Sequence, residues 1–207
     1  MKLKSILLPA VLLLGGLITS CSNADSQAAA ETSSDSEAVI NNIMTRTSVR
    51  RFTAQAIASD TIQTILKAGM AAPTAKNIQP WSFVVVTERA VLDSLQATHP
   101  YSNLATATAA IIVCGDMQKY DDDTLRQYWI QDCSAATENI LLAAHGLGLG
   151  AVWCGVYPSQ ERVAGVRRVL SLPGNIMPLN LIAMGYPDGE QTPKDKWNPD
   201  VIHYQKW

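Results

Sequence analysis

Three groups of residues in this 207-residue sequence have types and spacing that could bind a ligand with an anionic group and a flat ring. The first lies in residues 46–51, where three guanidinium groups and two hydroxyls occur within six residues. Guanidinium forks bind phosphate oxygens in pairs, and hydroxyls add neutral donors to the same anion. The group predicts a phosphate site, with a solvated basic turn as the alternative. Its polar members are Arg46, Thr47, Ser48, Arg50 and Arg51.

The second group lies in residues 72–81, between a predicted helix and a predicted strand. Pro73 and a second proline restrict the backbone, while Thr74, Asn77 and Gln79 carry hydroxyl and amide groups that could bind the polar edge of a ring. Residues on a restricted loop at the end of a buried strand are well placed to contact a ligand. The alternative is a turn whose polar groups bond its own backbone.

The third group combines glycines near predicted strand ends with lysines near the C-terminus. Gly155 would let a flat ring approach the backbone, and Lys194 and Lys196 could close on a phosphate. Each of these signals is weak alone, because a Gly-Leu-Gly sequence such as residues 148–150 is also a common helix end.

Helix-like and strand-like segments alternate around these groups. The spacing of apolar residues predicts helices over residues 38–45, 60–72, 88–98, 125–147 and 160–170. Apolar, β-rich runs predict strands over residues 81–87, 109–114, 151–156 and 179–185. The helix over 125–147 is apolar almost all round, which predicts burial in the core or at a subunit interface. This order predicts an α+β or three-layer α/β domain with helices on both faces of one sheet.

The N-terminal residues predict export and lipidation. A short basic start precedes an apolar stretch over residues 6–18, which is too short for a membrane span of about 20 residues and is typical of a signal peptide. The stretch ends in Ile-Thr-Ser before Cys21, which resembles the bacterial lipobox; an ordinary secretory signal with an incidental cysteine is the alternative. We therefore predict a lipoprotein signal peptide over 1–20 and a lipidated Cys21 that anchors the chain to a membrane.

The rest of the chain is predicted to form a tether and one domain. Residues 21–37 are rich in Ser, Ala and acidic residues and lack aromatics, so we predict a flexible tether there. The folded domain would cover residues 38–207. This organisation places the protein in the bacterial cell envelope, facing the periplasm or the outer surface.

Charge, cysteines and histidines argue against several functions. Sixteen basic and eighteen acidic residues give a net charge of −2, so no basic excess is present for nucleic-acid binding. Cys114, Cys133 and Cys154 lack metal-like spacing; three unpaired structural cysteines are favoured over one disulfide and one free thiol. The three histidines are far apart, so no metal site is predicted, and each is interpreted as a surface or satisfied core residue.

Taken in order, these motifs resemble the FMN-dependent nitroreductase family. The resemblance rests on Arg-x-Ser-x-Arg-x-Phe at 46–52, Ala-Pro-x-x-x-Asn-x-Gln-Pro-Trp at 72–81, an Ala-rich helix that runs into Gly-Leu-Gly, and Gly-Tyr-Pro at 185–187 followed by the paired lysines. It covers about residues 43–196. It implies a three-layer α/β/α fold whose mostly antiparallel central sheet is flanked by helices, in an intertwined homodimer with two FMN sites at the interface.

The resemblance also implies roles for individual residues. The FMN phosphate would be bound by Arg46 and Ser48, with lysines joining from the C-terminal side. Arg50 would lie near the N1/O2 end of the flavin, and the segment around Gly155 would present a backbone amide to flavin N5. Pro73, Thr74 and Ala75 would lie on a loop supplied by the other subunit, and Asn77 would be the amide of the same motif. The implied cofactor-binding residues are Arg46, Thr47, Ser48, Arg50, Pro73, Thr74, Ala75, Asn77, Cys154, Gly155, Lys194 and Lys196.

The implied function is hydride transfer through flavin N5 from a reduced donor, NAD(P)H in the family, to a nitroaromatic, quinone or similar small acceptor. No side-chain nucleophile is required. Two alternatives stay open: a membrane-anchored flavin-binding protein without turnover, and a flavin-dependent dehalogenase-type relative. Cys154 stands where larger members of the family often carry an acidic residue, so the substrate is not indicated. Because nicotinamide nucleotides are cytoplasmic, export predicts a different physiological donor.

Overall fold

The computed structural model describes residues 23–207, in two units that divide after Val39. The predicted signal peptide and Cys21 lie outside the described residues. In the first unit the described chain is helical and forms the beginning of α1 (Asn23–Thr45). The end of α1 belongs to the second unit, residues 40–207.

Helix α1 is longer than the sequence predicts. The helix predicted over 38–45 is its C-terminal part, but residues 23–37, for which a flexible tether is predicted, are helical as well. Alanines at 28–30, followed by Glu31, have high helix propensity and outweigh the serines and aspartates of the same stretch. The stretch has too few apolar residues to form a core, but its helix propensity is still high enough for a helix. Residues 34–40 of this helix are exposed.

The second unit alternates helices and strands in the predicted order. The helices are α2 (Ser59–Met70), α3 (Arg89–Thr98), α4 (Asp123–Arg126), α5 (Trp129–Gly146) and α6 (Gln160–Leu170). The strands are β1 (Trp81–Val86), β2 (Ala109–Asp116), β3 (Gly150–Gly155) and β4 (Ile176–Gly185). The single helix predicted over 125–147 is wrong at its start, because the backbone N–H groups of Gln127 and Tyr128 bond to carbonyls three residues back, which closes α4 before α5 begins.

The four strands form one antiparallel sheet in the order β1-β2-β4-β3. Helices α2 and α5 cover one face through residues such as Ile65 and Ile140. Helices α3 and α6 cover the other face through residues such as Leu95 and Val166. Alternate residues of β2 contact the two helical layers, which explains its continuous apolar pattern. The predicted α+β fold with a central antiparallel sheet is confirmed.

The segment that follows α1 covers the β3 edge of this sheet. Ser48 forms a parallel bridge with Ala151, and the Val49 N–H donates to the Ala151 carbonyl at 3.1 Å. Four residues later, Phe52 forms an antiparallel bridge with Pro187, just beyond the end of β4. The segment therefore lies between the outer strand and the start of the C-terminal residues.

Two facing glycines make room for this segment. Gly150 and Gly185 are partners in the β3–β4 register. A Cβ on Gly150 would lie 2.6 Å from the side chain of Val49, and a Cβ on Gly185 would lie 2.9 Å from that of Phe52. Both distances are shorter than ordinary van der Waals contact, so any larger residue would displace the segment.

The opposite edge of the sheet and the C-terminal residues have no partner strand in the described part of the chain. β1 pairs on one side only, with β2. After β4 the chain continues to Trp207 without a strand, and it exposes large apolar side chains such as Trp197 and Tyr204. Within the described residues no helix is long and apolar enough to cross a membrane.

Candidate active site

One cavity of about 150 Å³ contains both basic groups that the sequence singles out. The described residues that line it combine four positive charges with two hydroxyls and include no carboxylate. Such a lining suits an anion with several oxygens, such as a phosphate. The lining residues are Arg46, Thr47, Ser48, Arg50, Lys194 and Lys196.

The pairing of distant segments brings these residues together. The Asp188 N–H donates to the Arg51 carbonyl at 3.1 Å, and the Arg51 guanidinium forms an ion pair with the Asp188 carboxylate at 3.1 Å. Because of these contacts, the residues that follow β4 lie next to residues 46–51. The lysines at 194 and 196 follow a few residues later and therefore lie on the same cavity as Arg46.

Arg46 is held in place from two sides. Its backbone N–H donates to the Asn42 carbonyl at 3.2 Å, which extends the last turn of α1. Its side-chain Nε forms an ion pair with the Glu138 carboxylate of α5 at 3.2 Å, and only 18% of the Arg46 side chain is exposed. A guanidinium whose Nε is occupied still has two NH₂ groups, which can bind an oxyanion. The Glu138 carboxylate thus orients Arg46 toward the cavity.

A second, larger cavity adjoins the first. It has a volume of about 500 Å³ and shares Arg46, Lys194 and Lys196 with the smaller cavity. The remaining lining is mainly apolar, and includes Ile43 at the end of α1 and the exposed indole of Trp197. A volume in this range is typical of small-ligand sites.

Gly155 and Cys154 lie at the end of β3, the strand that Ser48 bridges. A Cβ on Gly155 would meet no atom within 4 Å, so open space lies beside this backbone. The Cys154 thiol instead points into the core, where it donates to the Ser102 carbonyl at 3.2 Å, and burial raises its pKa. A ligand would therefore meet Cys154 through its backbone. Arg50 lies near enough to affect the Cys154 pKa electrostatically.

The loop that carries Pro73, Thr74, Ala75 and Asn77 does not line either of these two cavities. It connects α2 to β1, and three of its non-glycine residues, at positions 76, 77 and 79, have positive φ angles. Such conformations are uncommon and are retained only where surrounding contacts fix them. Strained backbone of this kind is frequent at ligand sites.

Asp132, a buried residue of α5 that the sequence analysis missed, holds this loop. Its Oδ1 accepts from the Ala75 N–H at 3.0 Å, and its Oδ2 accepts from the Tyr120 hydroxyl at 3.0 Å. Only 4% of Asp132 is exposed. Burial, followed by the bond to Asp132, raises the pKa of Tyr120, so this phenol stays protonated. An aspartate next to the buried Cys133 in the first turn of α5 is the sequence signal that could have revealed this anchor.

We expect Asp132→Ala to lower the free energy of unfolding by about 3 kcal/mol, because two hydrogen bonds to a charged group are lost and the Tyr120 hydroxyl is left without its acceptor. For a chain of this size the melting temperature should fall by roughly 6–12 °C, measured by calorimetry. Asp123→Ala, on exposed α4, is the control and should change little. A melting temperature equal to that of the parent chain would contradict the anchor role of Asp132.

The described residues contain no cluster of three or more histidine, cysteine or acidic side chains that could hold a metal ion. Within this part of the chain, Cys114, Cys133 and Cys154 are free and buried. Burial raises the pKa of the Cys114 thiol to about 12.

Comparison with known proteins identifies similar chains. The sequence profile of the Nitroreductase family matches residues 43–99 and 94–186. A protein of Archaeoglobus fulgidus named "Putative NADH dehydrogenase/NAD(P)H nitroreductase" is 45% identical over 177 residues, which cover 83% of this chain and 99% of that protein.

Solved structures show the same similarity in three dimensions. A protein of the same name from Bacteroides thetaiotaomicron is 46% identical, with a TM-score of 0.77, and the match covers 82% of this chain and 98% of that one. An FMN-dependent nitroreductase from Clostridium difficile is 27% identical, with a TM-score of 0.74, and the match covers 81% of this chain and 99% of that one.

Proposed function

Because the chain belongs to the nitroreductase family, we propose that it is an FMN-dependent oxidoreductase. The observation that carries this proposal is the small cavity, in which four cationic side chains from the two ends of the folded domain meet two hydroxyls. FMN, when bound, supplies the redox chemistry by accepting a hydride from a reduced donor and passing electrons to an acceptor. The protein supplies binding, orientation and electrostatics.

The residues present fit FMN. Its phosphate needs several charged donors, and the cavity offers them with no carboxylate on its lining. Its flat ring needs backbone that can be approached closely, and Gly155 has open space where a side chain would stand. The bridge between Ser48 and Ala151 aligns the cavity segment with β3, so Gly155 lies about 13 Å further along the same strand.

We assign the roles in the site on this basis. Arg46, Ser48, Lys194 and Lys196 hold the phosphate, with Thr47 beside them. Arg50 stabilises negative charge on the reduced ring near N1/O2, because a fixed guanidinium favours an anion at short range. The backbone around Gly155 faces N5.

The donor and acceptor follow from the family. The names of the relatives support NAD(P)H as a donor that the enzyme accepts. The envelope location proposed below predicts a different physiological donor, because nicotinamide nucleotides are cytoplasmic. Small nitroaromatics and quinones are the acceptor class that we propose. Within the described residues the site offers no activated nucleophile, and hydride transfer requires none.

Absorption spectra and kinetics of the purified chain test this function. Bound oxidised FMN should give a yellow protein whose absorption bleaches on addition of NADH or NADPH and returns with a quinone or a nitroaromatic. A yellow protein whose FMN cannot be reduced and reoxidised would support flavin binding without turnover instead. A chain that takes up no FMN at all would overturn the proposal.

We propose that the enzyme is a homodimer in which each site is completed by the loop at 73–77 of the other subunit. The loop lines neither of the two cavities described above, β1 pairs on one side only within the described residues, and the C-terminal residues expose large apolar side chains such as Trp197 and Tyr204. Exposed edges and large apolar patches are typical of surfaces that pair with another chain. Light scattering should give the mass of two chains, and a single-chain mass would contradict the proposal.

We also propose that the protein is anchored in the cell envelope through lipidated Cys21, at the end of the lipobox-like sequence. The wild-type chain should partition with membranes, and Cys21→Ser should release it, because the acyl chains supply the attachment. Mass spectrometry of the mature N-terminus checks the modification directly. An unmodified cysteine in membrane-bound protein would contradict this proposal and leave the oxidoreductase function unaffected.

A further inference from the structure

The carbonyl of Gly155 accepts two side-chain hydrogen bonds from opposite parts of the helical layer that covers it. His99, directly after α3, lies with its Nε2 3.0 Å from this oxygen. Arg162, in the first turns of α6, donates to it from Nη1, also at 3.0 Å. A carbonyl at the end of a strand that has no partner in the sheet usually accepts a hydrogen bond from water. Here two side chains donate to the same carbonyl oxygen instead.

The protonation state of His99 follows from its surroundings. A carbonyl can only accept, so Nε2 must carry the hydrogen. His99 is 2% exposed, and among the described residues its Nδ1 is buried without a hydrogen-bond partner. Burial, followed by the charge of Arg162, lowers the pKa of His99, which keeps the ring neutral. In the part of the chain that the structure describes, the Gly155 carbonyl is therefore the one hydrogen-bond partner of the imidazole outside its own residue.

A buried polar atom without a partner costs free energy, so the position of this histidine requires an explanation. An apolar residue would fill the same space without that cost. What the histidine adds is a donor for the Gly155 carbonyl. Glycine has more backbone freedom than any other residue, and its ψ angle sets the direction of its carbonyl. Fixing that oxygen from two sides therefore fixes the backbone at the end of β3.

We propose that His99 and Arg162 are positioning residues that hold the Gly155 backbone in the orientation needed against the flavin ring. This inference rests on the proposed function, in which that backbone faces N5. Neither side chain needs to touch the cofactor, since both act through the Gly155 carbonyl. A donor held at N5 makes the ring easier to reduce, so loosening it should make reduction harder.

The experiment compares FMN-loaded variants of the full chain. His99→Leu removes one donor and keeps an apolar volume, whereas His99→Gln can return an N–H near the position of Nε2. Arg162→Met removes the other donor while keeping the length of the side chain. Arg167→Met is the matched control, because Arg167 lies on the same helix but donates to the Pro173 carbonyl. FMN affinity, melting temperature, the midpoint potential and the rate of reduction by NADH are measured for each.

We expect His99→Leu and Arg162→Met to bind FMN within about threefold of the parent chain, because the phosphate cavity is unchanged. Their midpoint potential should become more negative, and reduction should slow by about tenfold, an effect within the range seen for small misplacements of reacting groups. His99→Gln should recover part of both, and Arg167→Met should behave as the parent. A purely structural role would lower the melting temperature without moving the potential.

The outcomes separate the inference from the function on which it rests. If both donor-removing variants bind FMN and keep the parent potential and reduction rate, the positioning role is wrong and the oxidoreductase function stands. If His99→Leu does not fold, Arg162→Met alone tests the positioning role. Arg162 is only partly buried, so we expect this variant to fold. If the parent chain binds no FMN, the proposed function fails first and this inference fails with it.

Discussion

The Arg46→Ala variant is expected to bind FMN about 100-fold more weakly than the parent chain. A hydrogen bond to a charged group contributes about 1.5–3 kcal/mol, and the upper part of that range corresponds to a factor of about 100 in the dissociation constant. Arg46 is the most constrained of the four cations, because Glu138 fixes its Nε and most of its side chain is buried. Removing it also takes away the ion-pair partner of the Glu138 carboxylate.

Titration of the protein with FMN, followed by quenching of flavin fluorescence, measures this effect. Arg51→Ala is the matched control, because Arg51 is a neighbouring arginine whose side chain is largely exposed and pairs with Asp188 outside the cavity. An exposed ion pair contributes little, so this variant should bind FMN almost normally. Equal affinities for the two variants would show that the basic cavity is not the phosphate site.

Gly150→Ala should damage the site without changing any residue that lines it. The new Cβ would lie 2.6 Å from the Val49 side chain, so the segment after α1 must move off the edge of β3. Overpacking of this kind typically costs 1–3 kcal/mol of folding stability. The bridge between Ser48 and Ala151 would be disturbed with it. We therefore expect both a lower melting temperature and weaker FMN binding.

Calorimetry and the same FMN titration check the Gly150 prediction. Gly174→Ala serves as the control, because the nearest atom to its new Cβ is 4.0 Å away and belongs to a flexible arginine. The prediction fails if Gly150→Ala retains the parent affinity for FMN. A lower melting temperature with an unchanged affinity for FMN would mean that the segment can bind the phosphate without its contacts to β3.

Local patterns predict the elements of this fold well, because apolar spacing reports which face of a segment is buried. The helix over residues 160–170 has the predicted limits, and β2 has the burial on both faces that its continuous apolar run indicates. The helix predicted over 125–147 misses the break at Gln127 and Tyr128, since a switch to bonds three residues back leaves no mark on the apolar spacing. Residues 23–37, for which a flexible tether is predicted, are helical, because the helix propensity of the alanines is not reflected in the low apolar content.

The site is predictable in its chemistry but not in its assembly. Residue types at 46–51 and 194–196 indicate an anion, yet the two stretches meet through long-range backbone contacts, namely the bond from the Asp188 N–H to the Arg51 carbonyl and the bridge between Phe52 and Pro187. Asp132 and His99 are harder to predict, since a single buried polar residue has no periodic signal. Their roles depend on which backbone atom the fold places in front of them.

The two halves of the anion cavity come from opposite ends of the domain. Their order in the chain determines when the cavity can form during synthesis. Residues 46–50 leave the ribosome early, but they cannot form the complete cavity until Lys194 and Lys196 have followed. A nascent chain is therefore unable to retain the mononucleotide through this cavity. If the chain crosses a membrane before it folds, the flavin has to be acquired on the far side.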